Sequence, residues 1–479
     1  MKIFTKTILA FAAVVAIAGN AFAGGVLTNT NQSAAFLRSI ARGTSLDPDA
    51  VYYNPAGTAF MSNGWHIGLN DQMALQTRST ISTYAPFAMG AANSGMTKEF
   101  KGEVFSPVIP SVHLTWKHNR WAVMLGMGVN GGGGTIEYAD GLASFERQFS
   151  VLPGAINQLG SAMGLSTSQY NMDMLLKGSS MTLAFNAGVS FRITDWLSAA
   201  AQIRFSTTSN GYEGHIKNIQ VNPNMPAMPA LGLNGQMMSA SQFFTTIGAL
   251  RPDLAAQAAQ YAALTSDHIL DVKQKGTSVS PVLALAIHKG KWDASIRYEF
   301  KMATELEIES AEVSAKDPVI NGIFADGTKV KSETPALLAI AVSRHFGPVK
   351  VTAEWHNFFD KNAENSFSQA VQGNTNEILL GAEWSISDRW MISAGAQRTI
   401  YDLNTAYYSD MNFTNSVWCI GFGLAYKISD TVRLNAGYMP TIYDEVTSTG
   451  KASNIDFSDI YKRTSHAWGI GIDLKFGRD

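Results

Sequence analysis

Cysteine is almost absent: Cys419 stands alone among 479 residues, which excludes an internal disulfide framework and any multi-cysteine metal site. Charge is also scarce. Asp, Glu, Lys and Arg make up 15% of the chain, against about 25% in ordinary globular proteins. The net charge of −2 leaves no basic surplus for nucleic acid. Past the first two dozen residues, no stretch approaches the roughly 18–20 apolar residues of a membrane-spanning helix. There is no P-loop pattern, and the nine histidines, among them His66, His113, His288, His356 and His466, lack the close spacing of a zinc motif. No cofactor, metal ligand set or catalytic residue is therefore expected, and the chain is not read as an enzyme.

The first residues read as an export signal. Lys2 and Lys6 give a positive start, Ile8 to Ala18 an apolar stretch, and Ala21-Phe22-Ala23 the small-x-small cleavage pattern. The signal peptide is assigned to 1–23, with the mature chain beginning at Gly24.

From Trp65 onward, short segments alternate between apolar and polar residues. Trp292, Ala294, Ile296, Tyr298 and Phe300 share one face of a strand; Asp293, Ser295, Arg297, Glu299 and Lys301 share the other. The pattern recurs in Trp65-Ile67-Leu69, Trp121-Val123-Leu125-Met127-Val129, Ile378-Leu380-Ala382-Trp384-Ile386 and Trp468-Ile470-Ile472-Leu474-Phe476. Repeated apolar-out, polar-in strands with aromatics at their ends are the mark of a barrel in lipid, where every backbone group must pair internally and the sheet must close. The expected fold is an all-β transmembrane antiparallel β-barrel of about fourteen strands. They span 64–77, 107–117, 120–130, 179–192, 195–207, 276–288, 291–302, 334–346, 348–360, 375–386, 389–402, 416–428, 431–444 and 464–476. Short turns, as at Lys289-Gly290, Gly347 and Ser429-Asp430, alternate with long connections, as periplasmic turns and extracellular loops do. The strand pattern ends at Phe476, and barrel assembly is expected to tolerate the short tail that follows.

Residues 24–60 precede the barrel, which occupies 61–479. A barrel of this size is too wide for its own side chains to fill, so a compact leading segment can plug it. Within it, Asn54-Pro55-Ala56-Gly57 reads as a turn: proline fixes φ and pushes Asn54 toward an extended conformation, while glycine permits positive φ. The run from Ser33 through Asp47-Pro48-Asp49-Ala50, Tyr52-Tyr53 and this turn resembles the N-terminal hatch of the FadL/TodX family of outer-membrane transporters for long-chain fatty acids and other hydrophobic compounds. The resemblance implies fourteen strands and a hatch carrying Asn54, Pro55, Ala56 and Gly57 inside the lumen. It also implies a third strand that kinks inward and lets ligand leave sideways. That strand is matched here by Gly126, Gly128, Asn130 and Gly131, with glycines to Gly134, and glycine weakens a ladder and tolerates unusual dihedrals. Gly126-x-Gly128-x-x-Gly131 also fits a dinucleotide fingerprint, but lacks the βαβ context that site requires.

The long connections are unusually apolar. Residues 221–265 hold Met237, Met238, Phe243 and Phe244 beside alanine-rich helical stretches around 239–263, and apolar patches of that kind usually mark binding. The expected function is passive, hatch-gated transport of hydrophobic molecules across the Gram-negative outer membrane, with exit at the third strand. Long-chain fatty acids, similar lipids or hydrocarbons are the expected cargo. The expected partners are that ligand, outer-membrane lipid and the barrel-assembly machinery, with the chain acting as a monomer. A general diffusion porin for small polar solutes is the alternative, opposed by the hatch and the apolar loops. A membrane-embedded lipase would need a Ser/His/acid set assembled from separate strands.

Overall fold

The computed structural model describes residues 26, 28–92, 95–160, 164–314 and 325–477. The expected signal peptide lies outside the described residues. The wall is one antiparallel sheet closed on itself. Its fourteen strands are β1 Gly64–Tyr84, β2 Thr97–His118, β3 Trp121–Tyr138, β4 Tyr170–Arg192, β5 Leu197–Val221, β6 His268–Lys289, β7 Trp292–Glu299, β8 Leu337–Phe346, β9 Val349–Phe358, β10 Thr375–Ser385, β11 Trp390–Ile400, β12 Val417–Lys427, β13 Val432–Tyr443 and β14 Ile455–Phe476. Each pairs with its chain neighbour, and β1 closes the ring on β14 through a register running from Trp65↔Phe476 to Tyr84↔Phe457. Short strands at Met238–Ser239, Glu305–Val313, Lys329–Lys331 and Val446–Ala452 extend this sheet on the long-loop side.

The faces are inverted relative to a water-soluble protein. On β7 Ile296 is 41% exposed, while the neighbouring Arg297 is 1% exposed. The outward band carries Leu, Ile, Val and Phe. Trp65, Trp116, Trp121, Trp196, Trp292, Trp384 and Trp390 stand exposed near the rim where the short turns lie, and Trp355 and Trp418 toward the other. These are the apolar belt and aromatic girdles of a sheet bathed in lipid. The short turns are tight where the chain allows it: Gly290 and Gly347 open two-residue hairpins with φ of 63° and 61°.

All fourteen strands coincide with expected segments, but β1 to β6 and β14 run further on the long-loop side. The stretches 78–84, 97–106, 131–138, 170–178, 208–221, 268–275 and 455–463, read from sequence as loop, are strand. The apolar outer face that makes a strand legible stops where lipid does, whereas backbone pairing continues above it.

The lumen is filled by the N-terminal segment. Helix α1, Ala34–Ser39, is capped by the Ser33 hydroxyl, which accepts from the Phe36 N–H at 3.0 Å. It packs against β10 to β14. This contact is possible because Gly381 and Gly395 face it; a Cβ on either would collide with the Ser39 carbonyl. Helix α2, Ala50–Tyr53, and a 3₁₀ turn, Pro55–Phe60, then lie against β2 to β6. Phe36, Leu37, Ile40, Tyr52 and Tyr53 form one apolar cluster with Ala74, Ile109, Val129, Val417 and Cys419 of the wall.

Candidate functional site: a plugged lumen with an interrupted third strand

Asn54 is the N-cap of the 3₁₀ turn. Its side-chain oxygen accepts from the Gly57 N–H at 3.1 Å, its amide donates to the Ser45 carbonyl at 3.0 Å, and Pro55 opens the turn. Gly57 does not adopt positive φ, which corrects the reason given for it from sequence. The glycine is needed for space, since a Cβ there would strike the Asn54 amide. The 3₁₀ turn is tied to the wall through the Ser198 hydroxyl, 2.7 Å from the Ala56 carbonyl.

Charged contacts also tie the plug to the wall. Arg38, fully buried, reaches Glu383 of β10 at 2.8 Å. Arg42 bridges Asp47 at 2.7 Å, Asp49 at 2.9 Å and Glu383 at 3.1 Å. Asp47 continues to Arg433 of β13 at 2.5 Å. On β9, beside the strand of Glu383, Glu354 accepts from the Gly43 N–H at 2.9 Å, and Arg297 of β7 donates to the Tyr52 carbonyl. Several lumen charges thus pair with the plug, and others across neighbouring strands, as Arg433 of β13 does with Asp473 of β14 at 2.7 Å; Glu354 also holds His356 at 2.7 Å on its own strand. Buried ion pairs are a weak source of net stability but a strict one of geometry, because an unpaired partner left behind is costly. At the short-turn rim an open vestibule of about 380 Å³ lies between Leu46, Asp47 and Pro48 of the plug and the β12–β13 turn.

β3 is the irregular strand of the wall. It pairs with β2 from Trp121 to Met127 and again from Ile136 to Tyr138, but between those stretches the β2–β3 ladder is interrupted. Its ladder to β4 persists, with register shifts between Val129 and Gly131 and between Gly132 and Gly134. Gly126 lies in the paired part, whereas Gly128, Asn130 and Gly131 lie in the interruption. The backbone demand falls on two glycines not singled out from sequence, Gly132 at φ 65° and Gly133 at φ 113°. Gly131 to Gly134 stand inside the strand.

The carbonyls freed by the interruption are taken by the plug. The Val129 carbonyl accepts from the Gln32 amide at 2.7 Å and the Asn29 side chain at 3.3 Å. The Asn130 carbonyl accepts from the Asn29 N–H at 2.8 Å, and its side chain from the Tyr52 hydroxyl at 3.1 Å. Gly128 leaves room for Gln32, because a Cβ would overlap that side-chain oxygen. Facing the interruption, β2 carries Pro107 and Pro110, which have no N–H to leave unpaired. Two prolines inside an alternating segment were the available signal for this break.

On the long-loop side, helices α3, Ala240–Leu250, and α4, Ala255–Leu264, form the expected helical pair. Phe243 and Phe244 are 2% and 4% exposed, within a core shared with Ile156, Leu165 and Tyr212, while Met237 and Met238 are half-buried. A largely apolar cleft, lined also by Gln257 and Tyr261, separates the pair from Ile156 and Leu165, with about 30 Å³ of free space.

Among the described residues no group of His, Cys, Asp and Glu could hold a metal. Near the short-turn rim the Ser343 hydroxyl, His288 and His345 all contact Asp293, at 3.0, 2.6 and 3.0 Å. There the carboxylate lies between serine and histidine, so neither imidazole hydrogen-bonds the hydroxyl as base.

These features define a transmembrane β-barrel of fourteen strands, plugged by its own N-terminal segment. Among solved structures it is similar to a FadL homologue of Pseudomonas aeruginosa, at 13% identity over 95% of this chain and 100% of that one, with a TM-score of 0.64. It is also similar to the toluene transporter TodX of Pseudomonas putida, at 14% identity, 92% and 97% coverage and a TM-score of 0.55. The toluene transporter TbuX of Ralstonia pickettii matches at 13% identity, 97% and 100% coverage and a TM-score of 0.51. The chain therefore has the FadL/TodX fold, and the resemblance carried by the N-terminal motif is borne out at the level of architecture. No protein-family model and no curated protein matches it.

Proposed function

We propose that the protein carries hydrophobic molecules across the Gram-negative outer membrane by passive diffusion. Its long loops face the exterior and its short turns the periplasm. The solved proteins of this fold include toluene transporters and a monoaromatic hydrocarbon channel, which supports the reading. One observation carries it: the only large interruption of a wall ladder among the described residues lies at β3, directly against the plug. The apolar cleft beside the loop helices captures the ligand, which then passes down to the plug. Movement of the plug at Asn29 and Gln32 then frees the β3 carbonyls and opens a route through the wall. Partition into apolar surface drives the process, and no covalent step is needed.

A diffusion porin requires an open polar lumen, and this lumen is filled. A lipase requires a serine activated by histidine, and the Ser343 arrangement does not supply one. The test is uptake by cells producing the protein. A labelled long-chain fatty acid or hydrocarbon should enter faster than in cells without it, while small sugars should not. Rapid passage of sugars with no effect on hydrophobic tracers would overturn the reading.

A further inference from the structure

Asp71 of β1 stands where a membrane barrel rarely keeps a carboxylate. The strand points Gln72 and Ala74 inward, both buried, and Leu69 and Leu75 outward, both 42% exposed. Asp71 shares the outward face, half-buried, and its register partner on β14 is Ile470, 68% exposed. It therefore lies within the lipid band, between apolar neighbours. An ionisable residue at that depth is costly and calls for a function.

Its hydrogen-bond partner is on β2. There Ile109 pairs with Gln72 and Ser106 with Ala74, so Met73 faces both Pro107 and Val108 in a bulge. A bulge disrupts the ladder locally and bends its strand. The Asp71 carboxylate supplies an acceptor from the outer face, taking the Ile109 N–H at 3.0 Å. Between Val104 and Val112 this same segment of β2 has lost its pairs on β3. From the lumen, Gln32 of the plug spans the gap. It donates to the Val129 carbonyl of β3 and accepts from the Ser111 hydroxyl of β2 at 2.6 Å. The Ile109 side chain, 4% exposed, joins the apolar cluster of Val129 with Phe36 and Tyr52 of the plug.

We propose that Asp71 is a positioning residue that keeps the break between β2 and β3 open from the membrane side. Its pull on Ile109 is toward β1 and away from β3. Lipid offers a freed N–H no other partner, so without the carboxylate the segment turns toward the unpaired part of β3 and narrows the break. Gln32 ties the two edges on the inside, and Asp71 sets their separation on the outside. When the plug moves and Gln32 lets go, Asp71 still holds the edges apart. The inference rests on the sideways route proposed above and adds a residue of the wall to its control.

The experiment compares Asp71→Leu and Asp71→Asn by two measurements with one fluorescent fatty acid: binding to the purified, detergent-solubilised protein, and uptake by cells producing it. Leucine suits the lipid face, so the barrel should fold, and heat-modifiable mobility reports that it has. Asp71→Leu should bind the tracer with unchanged affinity but slow its uptake at least about fivefold, the weight of one hydrogen bond. Amide exchange over 128–135 should fall as the break narrows. Asp71→Asn keeps an acceptor oxygen and should restore most of the rate. Uptake at the unmodified rate in Asp71→Leu overturns the role of Asp71 and leaves hydrophobic uptake standing. Equal slowing by leucine and asparagine overturns the hydrogen bond to Ile109 as its basis. No uptake of the tracer by cells producing the unmodified protein overturns the uptake reading itself.

Discussion

Asp47 of the plug and Arg433 of β13 lie 2.5 Å apart, and Arg433 reaches on to Asp473 of β14 at 2.7 Å. Through Arg42, the same Asp47 ties the interior of the plug to this wall contact. Asp47→Asn should loosen docking without unfolding the barrel, because the wall ladders do not involve it. The pair is 25% and 28% exposed, so the loss is about 1–2 kcal/mol, well below that for a fully buried pair. Planar-bilayer recordings check this. The unmodified protein should show little steady conductance, and the variant should show frequent openings.

The plug carboxylates give a pH signature. Burial pushes the Asp47 and Asp49 carboxyls up, but Arg433 and Arg42 at the first, and Arg42 at the second, override it and hold both below the ordinary range. Groups lowered in the folded state contribute stability above their unfolded pKa, about 4, and lose it as pH falls through the folded value. Plug docking should therefore be intact at pH 7 and weaken progressively as pH falls below about 4, seen as rising conductance. Asp360 has the opposite sign. Burial raises it to about 6, and it accepts from the Val26 N–H at 3.4 Å. Its contribution is complete below about pH 4 and lost as pH rises through about 6. Thermal melting between those values should become flatter in Asp360→Asn.

The wall was legible because lipid reverses the usual rule: Trp292, Ile296 and Tyr298 alternate with Asp293, Arg297 and Glu299 without needing any distant partner to explain them. The plug contacts were not. Arg42 and Glu383 are separated by 341 residues, and nothing in either local pattern announces the other. Gly57 and Gly128 were noticed as glycines but read as sources of dihedral freedom, when a neighbouring side chain is what excludes a Cβ. The interruption of β3 left two local signals, the glycines at Gly132 and Gly133 and the prolines facing them. Only the first type was read, and one residue or more too early.

The loop helices separate capture from packing. Phe243→Ser removes a ring buried in the loop core and should disorder the helical pair, at a local cost of about 3–5 kcal/mol. Met237→Ser with Met238→Ser alters half-buried side chains and should leave the helices formed. Hydrogen exchange over 240–264 distinguishes the two variants. If the cleft captures ligand, the methionine pair should slow tracer uptake at limiting concentration with unchanged exchange. Unchanged uptake would assign these methionines to packing.

The remaining prediction concerns β3. Gly128→Ala places a methyl where the Gln32 side-chain oxygen sits, so Gln32 must leave the Val129 carbonyl. A carbonyl inside a lipid-embedded wall does not stay unpaired cheaply, and the plug near Asn29 should become mobile. Gly132→Ala acts differently. At φ 65° the added Cβ is strained and meets the Ser180 carbonyl, so the register shift between Gly132 and Gly134 is penalised by about 1–3 kcal/mol. That variant should favour a straighter strand with more complete pairing to β2. Both proteins should remain heat-modifiable barrels that bind ligand. Gly128→Ala should raise amide exchange over 28–33, and Gly132→Ala should lower it in the unpaired parts of β2 and β3 while slowing ligand delivery. Delivery at the unmodified rate in Gly132→Ala, with exchange reporting a newly paired ladder, would rule out sideways exit and leave passage past the plug into the periplasm.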